Sequence, residues 1–341
     1  MRIEARPYSR RMRVGLTNAR DTYTERHGWL LRADNGSGSP AFAEIAPLPG
    51  FGTETAAQAG QQLREIGRQV DHAAIAAIPA ARLPCTRSAL EACAWQLEGA
   101  PARSPVNPNP VEIAALLPDL REATSAIGPL LAQGYTTVKV KIGVEPFDAE
   151  SAAVERLLTQ LNGRARLRLD ANGALSVDVA RAWLKCLSAH PTVEFLEEPM
   201  PTGDPAYADL CALAADLCVT LAADESAPDL AAMQRLRETA PNTVIVVKPL
   251  LLGDLRAFMQ WRQRDPEGSV AYSSALETVA GLWLGLQLAA REPGRGLAAG
   301  FGTQAQFPPG PLTGPPLPAA CPADFLTREH LLAAWQALEQ G

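Results

Sequence analysis

The 341-residue sequence has only four histidines, no excess of positive charge and no paired cysteines. Lys and Arg number 31 against 37 Asp and Glu, a net charge of −6 without a polybasic block, so nucleic-acid binding is not expected. The six cysteines show no C-x-x-C pair and no neighbouring histidine, which favours reduced thiols over a zinc or redox site. They are at positions 85, 93, 186, 211, 218 and 321.

Neither a signal peptide nor a membrane span is expected. Segment 1–7 has no apolar run behind its charges. The longest apolar stretch, 279–290, is interrupted by Gln287 and is too short to cross a bilayer. With 47% hydrophobic and 20% charged residues, disordered and fibrous chains are excluded. We therefore expect a soluble cytoplasmic enzyme of about two domains.

Residues 1–104 are predicted to form an α+β domain. Strand-like runs at 26–32 and 41–45, separated by a Gly- and Asn-rich turn, predict a hairpin. Two helical stretches follow, near 55–78 and 87–98. Ser88 and Glu91 have capping-box spacing at the start of the second helix. A cluster of prolines then marks a domain boundary, at positions 101, 105, 108 and 110.

From residue 111 onward, short β-rich segments alternate with Ala- and Leu-rich helical ones, about 25–30 residues apart. This alternation predicts a parallel sheet, and eight units predict a (β/α)₈ barrel. The expected strands are 111–116, 136–142, 165–170, 193–197, 218–223, 243–248, 269–274 and 297–300. The proline-rich stretch 308–318 is expected to be an irregular connector to a last helix, 326–338.

Charged residues fall at the C-terminal ends of these strands, where barrel enzymes keep their active sites. The two-residue period of a strand puts Lys139 and Lys141 on one face and the flanking valines on the other. Since the valines should face the outer helices, both lysines point into the barrel. One such charge alone would be typical of a solvated loop; the recurrence on successive strands is what indicates a site.

The same alternation orients the next strands. The third strand directs Arg168 and Asp170 inward, and the fourth directs Glu197 inward rather than Glu198. The ends of the fifth and sixth strands supply Asp224 and Lys248. The predicted site thus contains four cations and three carboxylates.

Three carboxylates on adjacent strands would repel one another unless a cation lay between them. Oxygen ligands without Cys or His favour a hard ion, Mg²⁺ first. Burying several lysines in one barrel is costly for stability, which favours a functional reason for their presence. With Mg²⁺ added, the site carries an excess of positive charge, so the substrate should be anionic and carry more than one carboxylate.

Lysines on opposite sides of a metal suit proton abstraction next to a carboxylate, because the developing enolate needs metal stabilisation. Lys141 and Lys248 have this arrangement in the predicted barrel, and neighbouring cations lower a lysine pKa toward neutrality. Histidine cannot be the base. The four histidines lie in the N-terminal domain, at the wrong end of the barrel or in the tail: His27, His72, His190 and His330.

The motifs K-x-K, R-x-D-x-N, E-E-P, A-D-E-S and V-K-P occur in this order and together resemble the enolase superfamily, which pairs a Lys or His base with Mg²⁺. The resemblance covers nearly the whole chain and is to the muconate-lactonizing-like subgroup, with a lysine on each face of the substrate. Within it, the o-succinylbenzoate synthase family fits best. Segment 44–51 is similar to that family's cap loop, and segment 273–278 to its strand-seven serine motif.

This resemblance implies a modified (β/α)₈ TIM barrel at 105–303, under an α+β capping domain of residues 1–104 that the tail 304–341 completes. It implies that Asp170, Glu197 and Asp224 ligate Mg²⁺, with Mn²⁺ as a substitute metal. Lys141 would abstract the α-proton and protonate the departing hydroxyl, while Lys248 would stabilise the enediolate. Contacts to the substrate or intermediate are expected from Lys139, Arg168, Asn172, Ser273 and Gly300.

The implied reaction is syn dehydration of 2-succinyl-6-hydroxy-2,4-cyclohexadiene-1-carboxylate to 2-succinylbenzoate, in menaquinone or phylloquinone biosynthesis. Loss of water makes the ring aromatic and drives the reaction forward. The resemblance implies a small carboxylate as the partner and indicates no nucleic acid, membrane or particular oligomeric state.

Related activities use the same two lysines. Dipeptide epimerases usually carry an Asp-x-Asp motif at the segment that here reads 298–303, and it is absent. N-acylamino acid racemases and muconate cycloisomerases usually begin the strand-seven motif with Gly or Thr rather than Ser-Ser, yet racemisation stays open. A non-catalytic barrel should have lost at least one of the five lysines and carboxylates. The cap segment 15–24 matches only loosely, so the reaction class is better specified than the substrate.

Overall fold

The computed structural model describes residues 1–17, 22–36, 38–103, 107, 109–293 and 296–339. The N-terminal region begins with an antiparallel sheet of order β1-β2-β3, formed by β1 (Arg2–Thr17), β2 (Thr22–Asp34) and β3 (Ala41–Ile45). The β2–β3 pairing, with Trp29 opposite Ile45, confirms the predicted hairpin.

Strand β1 was not predicted from the sequence, although it pairs with β2 along most of its length. Its buried residues include Ile3, Tyr8 and Met12, but also Arg10, which is 6% exposed. A buried arginine and Pro7 interrupt the hydrophobic alternation by which a strand is recognised.

The helices of this region are α1 (Ala56–Ile66), α2 (His72–Ala76), α3 (Pro84–Leu97) and α4 (Ala100–Arg103). Helices α1 and α3 pack against the sheet, and α2 and α4 pack against α3. The predicted capping box of Ser88 and Glu91 is wrong, because α3 begins at Pro84. Glu54 instead accepts hydrogen bonds at the start of α3 from the backbone N–H of Thr86 (2.7 Å) and of its predecessor. Ser88 and Glu91 accept hydrogen bonds from barrel backbone amides.

Within the described residues, seven parallel strands form one curled sheet in chain order. They are β5 (Ala115–Leu116), β6 (Thr137–Lys141), β7 (Arg166–Asp170), β8 (Val193–Glu197), β9 (Leu221–Ala223), β10 (Val244–Val247) and β11 (Val270–Tyr272). The helices between and after them are α5 (Leu120–Ala132), α6 (Phe147–Leu161), α7 (Val177–Leu187), α8 (Tyr207–Asp216), α9 (Leu230–Thr239), α10 (Leu255–Arg264) and α11 (Val279–Ala289). A separate pair joins β4 (Val111–Glu112) to β12 (Ala320–Cys321).

The prediction of a regular eighth strand at 297–300 is wrong. This segment forms isolated bridges, Ala299 with Ile113 and Gly300 with Ser273, and so joins the two ends of the sheet without becoming a regular strand. The backbone approaches closely here, because a Cβ at Gly302 would lie 2.9 Å from the carbonyl oxygen of Ala114. The fold class, a modified (β/α)₈ barrel with an α+β capping domain, is confirmed.

The inward and outward directions of the strand residues follow the predicted alternation. Val138 and Val140 are fully buried in the main core, which includes the outer helices. A second apolar cluster fills the interior of the barrel and consists of Phe195, Ala222, Val244, Val246 and Ala271. The polar ends of the strands lie above this cluster, which gives the site a rigid floor.

The tail returns to the capping sheet. After an irregular proline-rich segment, α12 (Arg328–Ala337) places Trp335 with its ring centroid 3.9 Å from the guanidinium of Arg6. The predicted domain boundary between residues 104 and 105 lies outside the described residues. Among the described helices, none has both the length and the apolar character needed to span a bilayer.

Candidate active site

A cavity of about 930 Å³ lies at the C-terminal ends of the barrel strands, between the barrel and the capping domain. Its volume is within the usual range of ligand pockets. The capping domain contributes Tyr23, Leu48 and Phe51 to its wall. Of the ten predicted site residues, eight line it: Lys139, Lys141, Asp170, Asn172, Asp224, Lys248, Ser273 and Gly300.

Lys139 holds two carboxylates together at the floor of the cavity. Its Nζ lies 2.7 Å from both carboxylate oxygens of Glu197 and 2.8 Å from Oδ2 of Asp170. Burial and the neighbouring Asp170 charge raise the pKa of Glu197 to about 8, although Lys139 acts in the opposite direction. The carboxylates therefore need more positive charge than this lysine supplies.

Lys248 approaches from β10, on the other side of the carboxylates. Its ammonium pairs with Asp224, and its Nζ lies 4.6 Å from the centroid of the Phe51 ring. Burial disfavours the charged amine, but the Asp224 and Glu225 carboxylates raise the pKa of Lys248 overall. The Phe51 contact was not predicted, because it comes from a one-turn helix of the capping domain, Pro49–Phe51.

Lys141, the other lysine that flanks the carboxylates, lies in a different environment. It is only half-buried, and burial together with the charge of Lys139 lowers its pKa, against the effect of Asp170 and Glu225. Two lysines thus border one cavity, and their surroundings shift their pKa values in opposite directions. This arrangement suits a base on one side and a stabilising cation on the other.

Asp170 and Glu197 end neighbouring strands, β7 and β8, and Asp224 directly follows β9. Among the described residues, no group of three or more acidic, histidine or cysteine side chains is arranged as a preformed metal site. Lysine ammonium groups contact all three carboxylates instead. The set nevertheless fits a hard divalent cation, because every donor is a carboxylate oxygen and the three carboxylates come from the ends of successive strands.

A second set of contacts holds these carboxylates in place. The backbone N–H of Asn172 donates to Asp170 (3.0 Å), and the Asn172 side chain donates to Glu225 (3.1 Å). Glu198 is buried with φ of 38° and accepts from the backbone N–H of Asp224 at 2.8 Å. These contacts of Glu198 and Glu225 were not predicted, although the paired acids of E-E-P and A-D-E-S are a signal for them.

Both serines of the serine motif, Ser273 and Ser274, line the cavity, but their hydroxyls differ in how far they are already hydrogen-bonded. A Cβ at Gly300 would lie 3.1 Å from Oγ of Ser273, so glycine there leaves room for this hydroxyl. The Ser274 hydroxyl is 3.0 Å from Glu277 and 2.7 Å from Thr303. Ser273 is therefore the better placed of the two to contact a ligand.

The structure does not bring Arg168 to the cavity. Its guanidinium donates to Glu194 (2.6 Å) and to the carbonyl of Ala298 (2.7 Å), and it stacks on Phe195. The expected substrate contact does not fit this position. Strand alternation gives the inward direction of a side chain but not its depth, and Arg168 lies one layer below Asp170, where it joins the strands to the segment that closes the barrel.

Two family models match the chain. The model described as "Enolase C-terminal domain-like" matches residues 121–276, and the model described as "MenC, N-terminal domain" matches residues 5–92. A curated relative, an o-succinylbenzoate synthase of Thermosynechococcus vestitus, is 32% identical over 280 residues. The match covers 81% of this chain and 85% of the relative.

Solved structures show the same similarity. The o-succinylbenzoate synthase of Thermosynechococcus elongatus BP-1, complexed with Mg in its active site, matches with a TM-score of 0.80 and 27% identity, over 99% of this chain and 100% of that one. A dipeptide epimerase of Enterococcus faecalis matches with a TM-score of 0.79, over 94% of this chain and 95% of that one. At 20% identity, the epimerase shows a common fold alone.

Proposed function

The chain belongs to the o-succinylbenzoate synthase family of the enolase superfamily, and from this we propose that it catalyses the Mg²⁺-dependent syn dehydration of 2-succinyl-6-hydroxy-2,4-cyclohexadiene-1-carboxylate to 2-succinylbenzoate. The observation that carries the proposal is the pair of lysines, Lys141 and Lys248, on one cavity with a carboxylate cluster. The substrate is a small carboxylate anion, which Lys141, Lys248 and the bound Mg²⁺ would attract.

Asp170, Glu197 and Asp224 would hold the Mg²⁺ ion, and Mn²⁺ could replace it. When bound, the ion stabilises negative charge that develops on the substrate carboxylate. Lys139 pairs with Asp170 and Glu197, and Lys248 pairs with Asp224, so the two lysines offset part of the negative charge of these carboxylates.

Lys141 is the proton carrier in this proposal. Its neutral amine takes the proton from the ring carbon next to the carboxylate, and the electron pair of the broken C–H bond passes into an enediolate. The ring C–O bond then breaks, and the Lys141 ammonium returns its proton to the departing hydroxyl, which leaves as water. One lysine suffices because syn elimination keeps both groups on the same face of the ring.

Lys248 has the complementary role. Its carboxylate neighbours favour the ammonium form, which stabilises the enediolate from the opposite face. Ser273, Asn172, Gly300 and Lys139 line the cavity and would contact the substrate, whereas Arg168 would stabilise the barrel beneath it.

We place the reaction in the cytoplasm, within quinone biosynthesis. The six cysteines are free thiols, as is usual in a reducing compartment. Segment 44–51 and the tail contribute to the capping domain that covers the cavity, with residues 1–104 as its main part and 105–303 as the barrel.

The test is an ultraviolet assay of substrate loss with purified protein and Mg²⁺. We expect kcat on the order of 1–10³ s⁻¹, abolished by EDTA and by Lys141→Ala. Lys185→Ala is the matched control, because Lys185 on α7 is exposed. Absence of turnover in folded, Mg²⁺-loaded protein would reject the synthase proposal. Exchange of the α-proton of N-acylamino acids in D₂O would then identify a racemase that uses the same lysines.

A further inference from the structure

Arg26 is a buried cation whose hydrogen bonds go to backbone carbonyls of two different segments. It lies on β2 and is 3% exposed. Its guanidinium donates to Ala46 (3.1 Å) and Pro47 on the loop after β3, and to Ala275 (3.1 Å) on the segment after β11. Within the described residues, no carboxylate forms an ion pair with it, and its Nε has no partner.

Both segments face the cavity. Residues 46–51 include Leu48 and Phe51, which line the wall, and Phe51 lies over Lys248. Residues 273–278 begin with Ser273, which also lines the cavity. Arg26 therefore joins a capping-domain wall of the cavity to a barrel wall.

The barrel segment contains strained backbone that needs external support. Leu276 has φ of 61°, in the left-handed region that a branched side chain rarely adopts. Arg26 bonds to the carbonyl of the preceding residue, Ala275, and the Ser274 hydroxyl accepts from the Leu276 N–H at 2.9 Å. The Arg26 contact thus lies where the conformation requires it.

Burying a guanidinium without an anionic partner is unfavourable, and an apolar side chain would serve packing better. We infer that Arg26 is a positioning residue, which fixes the relative placement of loop 46–51 and segment 273–278 and thereby the substrate-contacting wall. The inference rests on the proposed function for its kinetic consequence, but its structural part is independent of the substrate.

Two neighbouring residues provide comparisons because their side chains bond to the barrel segment but not to loop 46–51. Arg10 donates to the carbonyl of Glu277 (2.7 Å) and to Thr313 (3.1 Å). Glu44 accepts from the backbone N–H of Thr278 at 2.8 Å. Removing Arg10 should loosen segment 273–278 without a direct effect on loop 46–51.

The kinetic test compares Arg26→Met, which removes every donor, with Arg26→Lys, which keeps the charge. We expect Arg26→Met to lower kcat/KM at least about tenfold, mainly through KM, since the walls contact the substrate in both ground and transition states. Arg26→Lys should recover part of this loss. Arg32→Met is the matched control, because Arg32 is on the same strand and pairs only weakly with Glu4 (3.5 Å). An unchanged KM in Arg26→Met would overturn the inference.

Amide hydrogen exchange provides the test that needs no substrate. Arg26→Met should accelerate exchange in both 46–52 and 273–278, whereas Arg10→Met should do so in 273–278 alone. Acceleration in only one segment for Arg26→Met, or a uniform increase that includes β2, would contradict a joining role. If Arg26→Met does not fold, the kinetic and the hydrogen-exchange measurements are both made on Arg26→Lys. A wild-type protein without turnover would reject the proposed function, while the exchange result would still decide the role of Arg26.

Discussion

Replacing Lys139 with methionine tests the electrostatics of the site directly. The Lys139 ammonium lies within 2.8 Å of oxygens of both Asp170 and Glu197, whose side chains are 12% and 2% exposed. Lys139→Met leaves these two buried carboxylates without their cation. Removing one partner of a buried ion pair costs about 3–5 kcal/mol, and we expect a loss of this size in the free energy of unfolding of metal-free protein.

Added Mg²⁺ should then stabilise Lys139→Met more than the wild type, because the ion supplies the missing charge and no longer competes with the lysine. Full recovery of about 3–5 kcal/mol corresponds to binding tighter by about a hundredfold or more, since tenfold equals about 1.4 kcal/mol. The assay is urea unfolding in EDTA and across a Mg²⁺ titration, with Lys185→Met as the exposed-lysine control. Equal stability in EDTA, or an equal Mg²⁺ effect in both proteins, would refute this reasoning.

Three further substitutions test separate parts of the structure. Burial raises the pKa of Glu277 to about 7, from a usual value of 4.5. The folded state therefore binds the Glu277 proton more tightly than the unfolded state does. The contribution of this proton to stability declines as pH rises from about 4.5 through 7. Glu277→Gln should reduce this pH-dependent loss in the free energy of unfolding by on the order of 3 kcal/mol. If urea unfolding shows the same dependence of stability on pH in the variant and the wild type, the prediction is contradicted. Gly28→Ala would place a Cβ 2.3 Å from the carbonyl oxygen of Ile45 and should lower stability by about 1–3 kcal/mol in the same assay; a neutral effect would be unexpected. Arg168→Met removes the shorter of the two ion pairs of Glu194 and leaves the one with Arg166 at 3.6 Å, so it should cost at most about 3–5 kcal/mol with Mg²⁺ affinity by calorimetry unchanged; weakened Mg²⁺ binding would assign Arg168 to the site itself.

Strand periodicity explains why most of the cavity residues could be predicted from the sequence. Val138 and Val140 identify the outer face of β6, so Lys139 and Lys141 must point inward. Because parallel strands end on the same side of the barrel, side chains from six strand ends meet in one cavity.

Strand periodicity does not predict how far below the cavity a side chain lies, or which distant segments it contacts. Alternation assigns Arg168 and Asp170 the same direction, although one is beneath the cavity and the other lines it. Phe51 and Arg26 act across the interface between the capping domain and the barrel, and local sequence carries no signal for such contacts. Ser88 was misread for a related reason, since its hydroxyl bonds to Gly253 rather than to its own helix terminus.

The most direct test of the account is a crystal structure of the protein with Mg²⁺ and 2-succinylbenzoate. We predict one ion bound by oxygens of Asp170, Glu197 and Asp224 at about 2.0–2.1 Å, with the aromatic ring between Lys141 and Lys248. An ion bound elsewhere, or a product outside the space between the two lysines, would contradict the assignment.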